Sequence, residues 1–437
     1  MSLTHPSPPQ ILSEEHERNP YETYRILREG YPVHHDESTD IWLVSRMDDL
    51  RMLFKRKDVT SDNYEFQIGQ FHGRTLIEME GKEHAAHRRL LSPFLRSTGL
   101  EEFVPKIRSA AESIIVPVAK REAARVSEML AGSIAQRESE AVRNGSQAHG
   151  EFDLVSEFTA VYPITVTRVM LGVPDEMHDT VMRWYRNIAD AISNLEGAQE
   201  PYDRGMQTRE EIREYLMPLI QERRRGAEQD LISLVARADD DGLRLTDEEI
   251  CAFTSLVIVA GGETTDSALA SMFKLLIEHP AQLAAVWNDR GLIRDAFAEQ
   301  LRFAPPVHMI LRIAAADVEV GGARIPKGAK IGMVLAAANR DDAKFKAPEQ
   351  FDIFREDNNT DRAFRASADH ISFADGRHFC VGNLLAREEV EIATNAIFDN
   401  MSGPPRFADG FEAKETGIWF RAPHQLRIAF DPVPAGT

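Results

Sequence analysis

The sequence predicts a mainly α fold with a small β-rich region, and three observations carry that prediction. The run from Thr246 to His279 is surrounded by apolar residues, opens on a Ser/Thr-x-x-Glu capping box and stops at Pro280. At about 1.5 Å per residue it would form a buried rod of roughly 48 Å. Helical periodicity recurs in most other segments, whereas runs with strand character are short and few. No repeat, low-complexity tract or linker divides the chain, so residues 1–437 read as a single domain.

Composition narrows the function before any motif does. A chain of 437 residues can bury a large core. Its net charge of -19, from 70 acidic and 51 basic residues, disfavours nucleic-acid binding, which wants a basic footprint. Cys251 and Cys380 are the only cysteines, so no disulfide framework organises the chain. The first twenty residues hold Pro6, Pro8, Pro9 and many charges but no apolar run. They read as neither signal peptide nor membrane anchor, and residues 1–18 as a flexible lead-in. The expectation is a soluble, cytoplasmic protein.

Taken in order, Asn19–Glu29 is helical and stops at Gly30. A short hairpin follows, Val33–His35 with Ile41–Val44, and then a helix over Asp48–Lys55. Residues 58–76 are irregular, with Tyr64, Phe66, Ile68 and Phe71 among polar neighbours. A helix opens near Glu80, and on it His84 and Arg88 lie four apart and share a face. The stretch 100–147 reads as a helix interrupted near Pro117, with residues 120–149 a polar surface insertion. Glu151–Leu171, Pro174–Leu195 and Gln207–Arg225 are helical, with a turn over Asn194–Asp203. At the centre of the long rod stands Ala260-Gly261-Gly262-Glu263-Thr264-Thr265. Glycine and β-branched residues weaken a helix there, and a threonine hydroxyl can take a backbone carbonyl and bend it. A weakened turn in a buried helix makes room for a small ligand, beside a carboxylate and a hydroxyl able to relay protons.

Further on, Glu299 and Arg302 are paired at i,i+3 on a helix ending at Pro305-Pro306. A strand over Val307–Leu311 leads to Arg312. Short strands follow at Val318–Val320 and Lys330–Leu335, and later around Gly417–Phe420 and Leu426–Phe430. The chemical centre is the loop Phe373-Ala374-Asp375-Gly376-Arg377-His378-Phe379-Cys380-Val381-Gly382, followed by a helix over about Val381–Asn400. A sulfur at a helix N-terminus meets unpaired N–H groups and the positive dipole end, which favour thiolate. Gly376 can take φ > 0, and Gly382 lets a flat group approach. Phe373 and Phe379 could wall the sulfur from water. Such a thiolate suits the axial position of a haem iron.

This loop resembles the haem-binding loop of the cytochrome P-450 family at every fixed position, Phe-x-x-Gly-x-(Arg/His)-x-Cys-x-Gly. The central motif resembles that family's Ala/Gly-Gly-x-Asp/Glu-Thr, and the Glu-x-x-Arg and His-x-x-x-Arg pairs occur in family order. The resemblance covers essentially the whole chain and implies haem b held between the long helix and the Cys380 helix. It implies Cys380 as iron ligand, with His84, Arg88, Arg312 and His378 at the haem carboxylates, and Ala260, Gly261, Phe373, Gly376 and Gly382 against the ring. It makes Thr264 and Glu263 the proton-delivery pair and Glu299–Arg302 a buried structural pair, completed by an arginine of the meander over 345–365, which holds Arg355, Arg362 and Arg365. The segments after 174 become a lid pair, and Phe66, Phe71, Val257, Met309, Ile310 and Trp419 the candidate substrate pocket. The implied reaction is hydroxylation of an apolar small molecule with dioxygen. Electrons would come from a ferredoxin and an NAD(P)H-dependent reductase, docking on a face that includes Arg377, Arg89 and Arg96, unless Arg377 folds inward to a haem carboxylate beside His378. Epoxidation, oxidative coupling, peroxide-driven oxidation and non-catalytic ligand sensing remain open on the same scaffold.

Overall fold

The computed structural model describes residues 8–135, 149–194 and 197–433. Its centre is the expected rod, a helix over Asp247–Glu278 with Thr246 as N-cap. Thr246 Oγ1 accepts from the Glu249 amide at 3.2 Å, and the Glu249 carboxylate accepts from the Thr246 amide at 2.7 Å, so the capping box closes both ways. The helical pattern runs unbroken through Gly261 and Gly262, so the weakened turn is not a break. Thr264 Oγ1 does donate to the Ala260 carbonyl, at 2.9 Å. Gly262 is where the rod is crossed. A Cβ there would stand 2.4 Å from Ile164 Cδ1 and 2.9 Å from Tyr185 Cε2. Glycine thus lets the helices Tyr162–Met170 and His178–Ile192 come close.

The helices surround the rod with one large apolar core that includes Ile107, Phe158, Tyr162, Leu216, Phe273 and Phe398. Beside it lies a five-stranded sheet in the order Val33–Asp36, Ile41–Val44, Lys330–Val334, Met309–Ala314, Val59–Thr60. Alternation along Met309–Ala314 sends Met309 and Leu311 to a cluster with Ile11, Tyr24 and Leu27. Ile310 packs against the opposite cluster, with Leu50, Val59 and Met333. Among the described residues no helix is long and apolar enough to cross a membrane.

Three expectations are corrected. Residues 8–18 are anchored: Ile11 is buried and Glu14–Arg18 is a helix capped by Ser13, whose Oγ accepts from the His16 amide at 3.2 Å. Residues 1–7 lie outside the described residues. Pro117 does not interrupt its helix, which runs over Val104–Ala135. One backbone bond is lost, but Ile107, Ala111, Ile115 and Val118 bury a continuous face that carries the helix across. Residues 120–135 therefore belong to that helix, and 136–148 lie outside the described residues. The helix expected over Gln207–Arg225 starts at Gln199 and runs to Arg223.

Arg302 is fully buried and holds Glu299 through two bonds, Nε at 2.8 Å and Nη2 at 2.7 Å. Arg355 is the third member, its Nε donating to Glu299 at 3.1 Å. Arg362 instead pairs with Asp369.

Candidate active site

The cysteine loop is shaped from outside. Gly376 has φ 69°, and a Cβ on it would meet the Phe54 carbonyl at 2.6 Å, so the left-handed turn and the close approach both require glycine. The Cys380 amide donates to the Phe373 carbonyl at 2.9 Å and closes the loop. Asn383 Nδ2 donates to the Cys380 carbonyl at 2.6 Å, and the helix itself covers Asn383–Asp399. The rings of Phe373 and Phe379 stand edge to face at 6.3 Å. The Gly382 N–H donates to the sulfur, and a Cβ on Gly382 would come within 3.9 Å of it. Burial nevertheless pushes the Cys380 thiol up, against that bond and the charges of Arg88 and Arg96. This opposes the sequence expectation that the helix end by itself favours thiolate; a metal cation on the sulfur would. Cys251 is buried elsewhere on the rod, and burial pushes its thiol up to about 11.

The four expected carboxylate-binding residues meet around this loop. His84 and Arg88 lie on the helix Gly81–Leu91. The His84 ring is 4.4 Å from that of His378, and its buried Nε2 has no hydrogen-bond partner among the described residues. Burial, then the neighbouring His378 and Arg88, bring His84 down to about 4. Arg88 Nη2 donates to the Phe379 carbonyl at 2.5 Å. Arg312 Nη1 donates to the Tyr64 hydroxyl at 3.3 Å and the guanidinium lies over the Tyr64 ring. Two arginines and two imidazoles, one of them with an orphaned buried ring nitrogen, form a donor set that fits a group bearing two carboxylates, with the sulfur beside it. Haem is such a group. In the sequence Tyr64 is one aromatic among several in an irregular stretch, and no spacing marks it out.

Along the rod, burial is broken at its midpoint. Ala260 is exposed, and Val257, Gly261, Glu263, Thr264 and Asp266 are partly accessible, in the middle of a helix whose other residues from Ile250 to Ile277 are buried except Lys274. Thr167 Oγ1 lies 3.2 Å from where a Gly261 Cβ would stand. Consecutive helical residues diverge by about 100°, so Glu263 and Thr264 leave on different faces rather than side by side. Glu263 shares its surroundings with Tyr185, Asp190 and Asp266. Burial, then Asp266 and Asp190, push its carboxyl up to about 7. Thr265 Oγ1 donates to Glu389 on the cysteine helix at 3.2 Å, and burial holds that carboxyl at about 8.

The expected pocket residues divide. Val257 lies on the accessible stretch of the rod, and Ile310 and Trp419 are half-buried. Phe66 is 76% exposed, on a π-helical turn over Glu65–Gly69, and packs against no wall. Phe71 is buried against the helix Gln199–Arg223: the space of a Gly205 Cβ is taken by Ala191 and the Phe71 ring, with Tyr202 edge-on at 5.8 Å. Met309 belongs to the N-terminal cluster, where strand alternation sends it.

The expected partner face also changes. Arg377 turns inward, donating to Glu80 at 2.6 Å and to the carbonyls of Arg56 and Val59 at 3.0 and 2.8 Å. Arg89 pairs with Asp240 at 2.8 Å. Arg96 lines a cleft of about 570 Å³ that also reaches Arg365, Phe379 and Arg387, beside the cysteine loop.

The family profile described as Cytochrome P450 matches residues 10–403. Pulcherriminic acid synthase of Bacillus subtilis (strain 168) is 33% identical over 423 residues, covering 96% of this chain and 97% of that protein. Cyclomarin C epoxidase CymV of Salinispora arenicola (strain CNS-205) is 28% identical over 417 residues, 93% of this chain and 94% of that protein. The crystal structure of CYP109E1 from Bacillus megaterium in complex with corticosterone superposes with a TM-score of 0.79 at 25% identity, covering 95% of this chain and 99% of that one. The chain belongs to the cytochrome P450 family of haem-containing monooxygenases.

Proposed function

We propose that the protein is a cytoplasmic enzyme that hydroxylates an apolar small molecule of moderate size, using dioxygen and electrons from a ferredoxin and its NAD(P)H-dependent reductase. The observation that carries this reading is the accessible stretch Val257–Thr264 halfway along a buried helix. It sets an apolar wall and a hydroxyl together in the interior. Cys380 is the residue for the iron, and His84, Arg88, Arg312 and His378, with Tyr64, are the residues for the two carboxylates. Ala260, Gly261, Phe373 and Gly382 are the residues for the flat ring; Gly376, expected there too, is pressed against the Phe54 carbonyl and shapes the loop instead. Haem, when bound, supplies activation of dioxygen and insertion of one oxygen atom into a C–H bond.

This chain's own residues then bind, orient and supply protons. Val257, Ile310 and Trp419 offer the substrate apolar surface and exclude water. Glu263, with its carboxyl near 7, is a proton donor at neutral pH. Thr264, whose hydroxyl rests on the Ala260 carbonyl, passes that proton on after the Glu263 side chain swings toward it. Epoxidation is the second reading, favoured by the relative named an epoxidase.

The test is spectroscopic first. Reduced protein with carbon monoxide should give the strongly red-shifted Soret band of thiolate-ligated haem, lost in Cys380→His and kept in Cys251→Ser. Loss in Cys251→Ser instead would overturn the ligand assignment. With a reconstituted electron source, labelled dioxygen should leave one labelled atom in an alcohol product; an epoxide would favour the second reading. A screen of apolar compounds for displacement of iron-bound water, read from the Soret band, would identify the substrate class.

A further inference from the structure

Helix N-caps favour Ser, Thr, Asp or Asn, whose short side chains reach back to the backbone. The helix that carries His84 and Arg88 has Glu80 in that position, and its side chain makes no capping bond. The carboxylate reaches instead to two other segments. Oε1 accepts from the Ser61 amide and the Ser61 hydroxyl, each at 3.0 Å, and lies 3.3 Å from His378 Nε2. Oε2 accepts from Arg377 Nε at 2.6 Å. Arg377 in turn donates to the Arg56 and Val59 carbonyls, and Ser61 Oγ lies 3.3 Å from His378 Nε2. One carboxylate therefore ties together the start of the His84 helix, Ser61 just after the strand Val59–Thr60, and the cysteine loop. Burial pushes its carboxyl up, but the bonds from His378 and Arg377 outweigh that and hold it at about 2, so it is ionised at neutral pH.

We propose that Glu80 is a positioning residue for the haem carboxylates. It locks His378 to the helix bearing His84 and Arg88, so the grip on haem depends on a carboxylate that acts through His378. The inference rests on the reading that His84, Arg88 and His378 hold those carboxylates. Arg377 belongs to the same clasp, which is why it faces inward.

The test uses holoprotein and haem transfer to excess apomyoglobin, with circular dichroism to follow the fold and resonance Raman to follow the propionate-bending band. Glu80→Gln keeps the shape and removes the charge. It should release haem about tenfold faster, the scale of one lost charge-assisted bond, and shift the propionate band while helicity is kept. His378→Ala should also release haem faster, and the double variant no faster than His378→Ala alone, because Glu80 acts through His378. Should Glu80→Gln fail to fold, Arg377→Met and Ser61→Ala open the clasp from its other side, and each should speed release and shift the band. Wild-type release in Glu80→Gln, or in both clasp variants, with fast release in His378→Ala overturns the role of Glu80 alone. Wild-type release in His378→Ala as well removes the underlying assignment. Strictly additive effects in the double variant would also overturn the coupling.

Discussion

The proton delivery proposed for Glu263 requires it to hold its proton near neutral pH. Burial and the neighbouring Asp266 and Asp190 raise its carboxyl to about 7, so the protonated fraction falls as pH rises through that value. If delivery needs the acid form, product formed per NAD(P)H should decline between about pH 6 and about pH 8. Glu263→Gln should remove that dependence and lower turnover about 100-fold. Asp266→Asn removes a like charge, so the inflection should move to lower pH. A profile unchanged in Glu263→Gln would show that another group delivers the proton. Thr264→Ala should still bind haem and substrate but divert reducing equivalents to peroxide and water; full coupling in that variant would remove the hydroxyl from the route. Both residues could be singled out from six consecutive letters, since glycines and threonines at the centre of a buried helix conflict with its propensity. That the two point to different faces follows from helix geometry alone, whereas the Tyr185 and Asp190 neighbours of Glu263 come from a helix distant in sequence.

Elements whose signals are local were readable: the capping box at Thr246 and Glu249, the hairpin at 33–44, and the turn at Gly376. Elements whose fate depends on tertiary packing were not. Pro117 reads as a helix stop, yet its helix survives because the flanking residues are buried. Phe71 reads as a pocket wall, yet Gly205 on the helix Gln199–Arg223 offers it a seat. The Glu299–Arg302 pair was visible, but its third member was ambiguous among three arginines until the meander placed Arg355 beside Glu299. With Glu299 and Arg302 buried, removing one partner leaves an uncompensated charge. Glu299→Gln should therefore lower the free energy of unfolding by about 3–5 kcal/mol, read from denaturant midpoints. A loss below about 1 kcal/mol, the range of exposed pairs, would mean that the triad is dispensable.

At the scale of the molecule, a net charge of -19 repels an acidic electron carrier, so docking needs a locally basic face near the sulfur. The cleft lined by Arg96, Arg365 and Arg387 lies against Phe379, the residue before Cys380, which makes it the docking face we infer. Glu101 and Glu388 line it too, so its excess of positive charge is small and its pull is set by a few side chains. Arg365 is exposed, whereas Arg387 already pairs with Glu388 and Glu391. Attraction between exposed charges raises association rates and fades as the screening length falls from about 30 Å at 0.01 M salt to about 3 Å at 1 M. Arg365→Glu should therefore slow reduction by an acidic ferredoxin several-fold at low salt, with the difference closing as salt rises. The carbon monoxide spectrum and substrate affinity should not change. Arg377→Glu should behave otherwise, because its guanidinium is held by Glu80 inside the fold. There the expected result is faster haem loss at every salt concentration. Equal reduction rates for Arg365→Glu and wild type across the whole salt range would place the docking face elsewhere.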